Sequence, residues 1–263
     1  MINPGKFLRA PFLYQTNVPI IIAPIDDLLI FGPHGGLENP SSKIRDINEA
    51  GVDAILTFCG SLKRNPAAYA NVCRFVNLSA STVHSAHTRK VKIHSVEEAI
   101  RVGATGIAYH INVTSKYAGE MISAASEVIA EADRFGIPTL GIIYPRGERG
   151  GLDNNYDDLK KSDPSAFAGM IAHCTALGAD LGFDIIKTMY TDNSEMFRSV
   201  VRSADGVPVV IAGGPLDSFE NALDKARGAL AGGASGISFG RNLFGRSVDL
   251  TKLVTEIRRL PRL

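Results

Sequence analysis

The chain has 263 residues, of which 45% are hydrophobic and 21% charged, with a formal net charge of +1. That composition suits one large core and excludes a disordered chain, and the near-neutral charge gives no reason to expect nucleic acid or an anionic membrane as partner. The apolar run at 19–24 is too short to span a bilayer and is followed within two residues by Asp26-Asp27, so neither an anchor nor a secretion signal is expected.

Short β-like runs recur along the chain, at 19–25, 54–58, 75–78, 106–111, 139–144, 185–189, 207–212 and 236–239. Most are continuously apolar, as in parallel strands buried on both faces. Amphipathic stretches lie between them. Ser95-Val96-Glu97-Glu98 reads as a capping box, and Asp163-Pro164 as an N-cap followed by a first-turn proline, opening a helix toward Leu177 and Gly178. Residues 117–135, 194–204, 217–230 and 249–260 carry apolar residues at helical spacing.

A small motif recurs where helix gives way to strand: Ala50-Gly51-Val52, Gly103-Ala104-Thr105-Gly106 and Gly233-Ala234-Ser235-Gly236, with Gly178-Ala179-Asp180 as a weaker copy. Glycine there ends a helix in a left-handed cap. Eight such units in about 250 residues predict a single α/β domain over 1–263, a closed (β/α)8 TIM barrel. An open doubly wound sheet is the alternative, but no Gly-rich dinucleotide turn appears. The longest irregular piece, 146–163, suits a rim loop.

In such a barrel, ligands bind where the strands end at their carboxyl side. The polar residues expected there are Asp26 and Asp27 after the first strand, Tyr144 and Arg146 after the fifth, Lys187 in the sixth, Gly213-Gly214 after the seventh and Gly240-Arg241 after the eighth. Lys187 stands among aliphatic residues in Asp184-Ile185-Ile186-Lys187-Thr188-Met189. A lysine so placed snorkels, finds a carboxylate or loses its proton, and the last outcome makes an amine that adds to a ketone. Tyr144 and Asp26 are candidates for moving the protons such a reaction needs. Each also has a structural reading, Tyr144 as a buried aromatic and Asp26 as a helix cap. Arg149 is taken as a solvated loop charge.

The glycine turns after strands seven and eight fall where barrels often bind phosphate, with a helix near Asp217 or after Asn242 lending its N-terminus and Arg241 its charge. His34, in Gly32-Pro33-His34-Gly35-Gly36, is a substrate-contact candidate. His110 faces the pocket or packs beside it, and His94 and His173 read as cap or surface residues. His84 and His87 have no third ligand at suitable spacing, so no metal and no cofactor are assigned. Cys59, Cys73 and Cys174 also lack such spacing; an odd count fits reduced thiols in a cytosol, with Cys59 and Cys73 as small core residues.

Taken together, several segments resemble one family across nearly the whole chain. They are Gly5-Lys6-Phe7-Leu8-Arg9, Asp26, Gly32-Pro33-His34-Gly35-Gly36-Leu37-Glu38, Ser95-Val96-Glu97-Glu98-Ala99, Tyr144-Pro145-Arg146-Gly147, Asp184-Ile185-Ile186-Lys187-Thr188, Ile211-Ala212-Gly213-Gly214-Pro215 and Gly240-Arg241-Asn242. The family is that of the Schiff-base aldolases grouped with deoxyribose-phosphate aldolase and archaeal-type fructose-bisphosphate aldolase. It also includes 2-amino-3,7-dideoxy-D-threo-hept-6-ulosonate synthase and the autoinducer-2 thiolase. The resemblance implies a lyase that makes or breaks a C–C bond in a phosphorylated ketose, or a transaldolase passing an enamine to an aldehyde. It implies Lys187 as imine former, Tyr144 as proton donor, Asp26 as proton acceptor, and Gly213, Gly214, Gly240 and Arg241 around the phosphate. It also implies a homo-oligomer, as large as a decamer in some members.

The chain departs from the pattern twice. Asp27-Leu28 stands where the family has His-Gly after its aspartate, and the paired carboxylates are expected to raise the pKa of one of them. Leu216-Asp217 follows Gly213-Gly214-Pro215 where a lysine is usual, which predicts a weaker phosphate grip. The stretch Lys187-Thr188-Met189-Tyr190-Thr191 is nearer the heptulosonate synthase branch. A barrel isomerase or thiolase in which Lys187 only polarises a carbonyl, and a non-catalytic sugar-phosphate-binding barrel, are the competing readings.

Overall fold

The computed structural model describes residues 3–246 and 248–262. Eight strands form the barrel: β1 (Ile20–Pro24), β2 (Ala54–Thr57), β3 (Cys73–Asn77), β4 (Gly106–Asn112), β5 (Thr139–Tyr144), β6 (Ile185–Thr188), β7 (Val209–Ala212) and β8 (Gly236–Ser238). Each is parallel to the next, and β8 pairs with β1 to close the ring. The expected (β/α)8 architecture is therefore present. The differences lie at strand ends. β3 begins at Cys73 rather than Phe75, because half-exposed Arg74 interrupts the apolar run; Cys73, expected as a core residue, is only half-buried there.

Side chains alternate across each strand. Ile20 and Ile22 join the cluster filling the barrel, whereas Ile21 and Ala23 join the larger cluster between strands and helices. Both faces are dry, which is why the strands read as unbroken apolar runs.

Helix ends follow the expected punctuation with one exception. Ser95 and Glu98 form the capping box, and Asp163 accepts from the backbone N–H of Ala166. Gly51, Gly103 and Gly233 have φ of 86°, 97° and 91°, the left-handed conformation that favours glycine. Gly178 does not end its helix. The helix Pro164–Leu181 continues to Gly182, which takes the left-handed cap with φ 92°. Gly178 is instead a close-approach residue, since a Cβ there would lie 2.7 Å from Ile143 Cδ1 and 2.9 Å from Ile186 Cδ1. The stretch 146–163 is more ordered than a rim loop. It holds a hairpin of Gly147–Arg149 and Leu152–Asn154, then the helix Asp157–Ser162.

The N-terminal segment closes one end of the barrel. Asn3 caps the helix Pro4–Arg9, a 3-10 turn Pro11–Tyr14 follows, and Phe12 and Leu13 join the barrel interior. Phe12 packs on Phe75 with ring centroids 6.3 Å apart. Lys6 Nζ sits 2.8 Å from Asp184 Oδ1 and 2.6 Å from Asp133 Oδ1, while Asp184 Oδ2 accepts from the Thr139 backbone N–H at 2.8 Å. One carboxylate thus ties the plug to the starts of β5 and β6. A Phe12→Ala change removes a buried ring from this plug and is expected to lower unfolding stability by about 3–5 kcal/mol in urea titrations.

Candidate active site

The two-residue alternation carries inner-layer positions up to the carboxyl rim. Ile185 faces inward, so Lys187 does as well; Ile142 and Tyr144 share the inner face of β5. Lys187 lies beside Ile142 on one side and Val210 on the other, and Tyr144 beside Asn112. Asp26 follows two residues after the end of β1. These side chains meet in a cleft of about 650 Å³, mouth included, lined by Asp26, Asp27, Tyr144, Arg146, Lys187, Gly213, Gly214, Gly240 and Arg241. Every site residue expected from the sequence lines it except His34. The His34 ring stands one step back, with Nε2 3.6 Å from Asp27 Oδ2 and Nδ1 2.9 Å from the Gly32 carbonyl.

Lys187 is 7% exposed and, among the described residues, makes no hydrogen bond or ion pair through its amine. Tyr144 is packed edge-on by His110, with ring centroids 5.1 Å apart, and the Arg146 guanidinium lies 5.6 Å from the tyrosine ring. Asp26 is buried and accepts from Asn77 Nδ2 at 3.0 Å; its carboxylate makes no cap hydrogen bond to the helix Asp27–Phe31.

Asp27 bears out the expectation for paired carboxylates. Burial, and next the Asp26 charge, hold its carboxyl above the ordinary range, against the pull of Arg241, Lys187 and His34. Arg241 Nε is 3.9 Å from Asp27 Oδ2.

The glycine turns are built as a cradle. Gly214 has φ 76°, and a Cβ on Gly213 would crowd Phe239 Cδ1 at 3.0 Å. Asn242 Nδ2 donates to the Pro215 carbonyl at 2.8 Å and its Oδ1 accepts from Asp217 N–H at 2.9 Å, binding the two loops together. The helix after β8 starts at Arg241 and spans only Arg241–Phe244, so the longer helix, Phe219–Ala231, supplies the extended axis. Lys225 of that helix places Nζ 3.1 Å from the Gly213 carbonyl. A cation therefore approaches the turn from the helix although none follows Pro215 in the chain.

Several functional-site residues escaped the sequence reading. His87 and Lys90 come from the loop between the paired segments Ser79–Ala80 and Val91–Lys92 and line the cleft. His110 Nε2 contacts Asn112 Oδ1 at 2.9 Å; burial, then the neighbouring cations, hold its pKa well below the usual value. His110 both lines the cleft and packs beside Tyr144. Ser238 Oγ lines it too, buried and without a hydrogen-bond partner among the described residues. Only alternation from Gly236 pointed to Ser238, and nothing local marked Lys90. Among the described residues no group of three His, Cys, Asp or Glu side chains is placed to hold a metal ion. No helix there is long and apolar enough to cross a membrane.

Residues 20–246 match the model of the DeoC/LacD family aldolases. The chain is 34% identical over 245 residues to the 2-amino-3,7-dideoxy-D-threo-hept-6-ulosonate synthase of Halobacterium salinarum, covering 93% of this chain and 87% of that one. It is also 34% identical over 228 residues to the 2-amino-4,5-dihydroxy-6-oxo-7-(phosphonooxy)heptanoate synthase of Streptomyces griseus, covering 86% and 78%. An archaeal fructose-1,6-bisphosphate aldolase, solved with its catalytic lysine covalently bound to the carbinolamine intermediate, superposes with a TM-score of 0.81 at 27% identity. The match covers 98% of this chain and 99% of that one. A barrel with an unpaired inward lysine at its carboxyl rim and this likeness define an enzyme of the class I aldolase type. The chain belongs to the DeoC/LacD aldolase family.

Burial, and then the Arg146 charge, push the Lys90 amine from 10.5 down to about 7, against Asp26, Asp153 and Asp27. Folding therefore releases a proton from Lys90 between about pH 7 and 10.5, and its contribution to wild-type stability rises across that window. Lys90→Met abolishes this titration. Relative to wild type, the variant should gain stability below about pH 7 and lose that advantage as the pH climbs to 10.5, as checked by denaturation at a series of pH values.

Proposed function

We propose that the protein is a Schiff-base aldolase or transaldolase acting on a phosphorylated ketose, with Lys187 as the imine-forming amine. The observation that carries this reading is the burial of Lys187 at the floor of a polar cleft without any partner for its amine among the described residues. An inward amine that makes no hydrogen bond or ion pair can approach a carbonyl carbon in the cleft.

The chemistry runs as follows. Lys187 Nζ adds to the ketone carbon, and the resulting carbinolamine loses its hydroxyl as water with a proton from Tyr144. The iminium carbon then accepts electrons. Asp26 takes the proton from the hydroxyl next to the scissile C–C bond, that bond breaks, an aldehyde leaves, and its electron pair becomes the enamine. Protonation of the enamine and hydrolysis release the ketone product; addition of the enamine to a second aldehyde gives transaldol transfer instead. Buried His110 and half-buried Arg146 pack on the Tyr144 ring, and Asn77 donates to Asp26. The Gly213-Gly214 and Gly240 backbone, with Arg241, receives the donor phosphate.

The relatives' names favour the synthetic direction. A heptanoate with a 6-oxo, 7-phosphonooxy end and a 2-amino acid end is what aldol addition of a three-carbon ketose phosphate to an amino-acid aldehyde produces. Assembly as a homo-oligomer and a cytosolic setting, where the three thiols stay free, complete the proposal.

Borohydride reduction in the presence of fructose 1,6-bisphosphate or dihydroxyacetone phosphate should leave a stable adduct, and peptide mass spectrometry should place it on Lys187. Lys187→Met should abolish it. An adduct on another lysine, or none with any ketose phosphate, would overturn the reading. Tyr144→Phe should reduce kcat by about 10²–10⁴. Replacing Arg241 with Met is expected to act mainly on the donor KM, raising it about tenfold or more through loss of a charged phosphate contact.

A further inference from the structure

The chain after β1 brings two ionisable side chains, Asp27 and His34, up to Arg241. Asp27 Oδ2 lies 3.6 Å from His34 Nε2 and 3.9 Å from Arg241 Nε, and Asp26 precedes it in the chain. The proton on the His34 ring is fixed by a backbone contact. Nδ1 is 2.9 Å from the Gly32 carbonyl, and a carbonyl only accepts, so Nδ1 carries a hydrogen. In the neutral ring Nε2 is then a bare lone pair beside a carboxylate oxygen. Two acceptors so placed repel each other, and one proton on either side turns the contact into an attraction.

Asp27 also lines the cleft, so its charge acts on whatever binds there. Asp26 opposes its ionisation, while Arg241 after β8, Lys187 on β6 and His34 favour it; burial outweighs them and holds the carboxyl above the ordinary range. Lys90 and Arg146, on the loops at 81–90 and after β5, also feel the Asp27 charge. Arg241 is the cation assigned above to the donor phosphate, and Asp27 is the carboxylate nearest to it. A phosphate arriving at Arg241 therefore meets a like charge beside its binding cation, an unfavourable arrangement in a partly buried site. One proton on the Asp27–His34 pair removes the opposition. The His34 side chain is 33% exposed, which gives that proton a route from solvent.

We propose that Asp27 and His34 form a proton-holding pair that positions Arg241 for the donor's anionic group, so that the cleft takes up the donor phosphate together with a proton. The donor's identity rests on the aldolase reading above; the coupling of anion and proton does not. With the pair deprotonated and the cleft empty, Asp27 holds Arg241 as an ion pair. On anion binding a proton from solvent settles at Asp27 Oδ2 or His34 Nε2, the pair passes from negative to neutral, and Arg241 is left to the anion. Asp27 thus governs donor binding, while Asp26 keeps the proton transfer at the C–C bond.

The test uses the full chain as wild type, Asp27→Asn, His34→Gln and Arg241→Met, each checked for folding by circular dichroism. Inorganic sulfate is the probe, because it keeps its charge across the neutral and alkaline range. Calorimetric titrations in two buffers of different ionisation enthalpy read the protons taken up on binding. Wild type should take up about one proton per sulfate on the alkaline side, where its affinity should fall about tenfold per pH unit. Asp27→Asn should lose both the uptake and the pH dependence and should bind sulfate more tightly than wild type at alkaline pH. His34→Gln should move the fall in affinity to lower pH, since the carboxyl then titrates without its partner. Arg241→Met should weaken sulfate about tenfold or more, which places the anion at the glycine turns. Proton uptake that persists in Asp27→Asn, an Asp27→Asn affinity loss equal at every pH, or a profile untouched by His34→Gln overturns the proposal. So does sulfate binding that is absent or indifferent to Arg241. Uptake of a proton with sulfate, but no borohydride adduct with any ketose phosphate, would instead count against the aldolase reading alone.

Discussion

Residues two apart on a strand face the same way, and in a closed barrel that rule leaves each side chain only two environments. One is the interior and the other is the layer under the helices. Lys187 shares the face of Ile185, so its amine enters the interior and meets the cleft at the carboxyl end. The same rule brings Tyr144 up from Ile142 and His110 from Ala108. The register that enforces it is secured at the opposite end, where Asp184 accepts from the start of β5 and pairs with Lys6 of the N-terminal plug. With that end closed by Phe12 and Leu13, the carboxyl rim is the face left for a ligand.

Charge is distributed over this rim unevenly. Asp26 and Asp27 sit side by side on one wall, and burial with mutual repulsion holds Asp27 above the ordinary carboxylate range. Lys90 and Arg146 line the same cleft within reach of the Asp27 and Asp153 charges, and Arg241 stands by the glycine turns within 3.9 Å of Asp27.

Much of this was legible in the chain. Continuous apolar runs marked most of the strands because both their faces are dry, and Gly51, Gly103 and Gly233 marked helix ends because glycine takes that φ without strain. Lys187, Tyr144, Asp26 and the glycine turns stood out because polar residues at the ends of apolar strands have few structural explanations. Gly178 misled: the same residue type serves as a cap or as a close-approach point, and only the 2.7 Å clearance to Ile143 separates the two. Lys90 was invisible, since His87-Thr88-Arg89-Lys90 reads as a solvated polar loop.

Local pattern therefore determined the barrel, the strand order and the residues that strand alternation delivers to its mouth, because those follow from neighbours in the chain. Tertiary structure alone decided which loop charges are buried. It folded the segment carrying His87 and Lys90 over the cleft, brought Lys225 to Gly213 in place of a lysine absent after Pro215, and set His34 behind Asp27 rather than in the cleft. Burial of a loop side chain depends on what packs over it from distant parts of the chain, and no local periodicity encodes that.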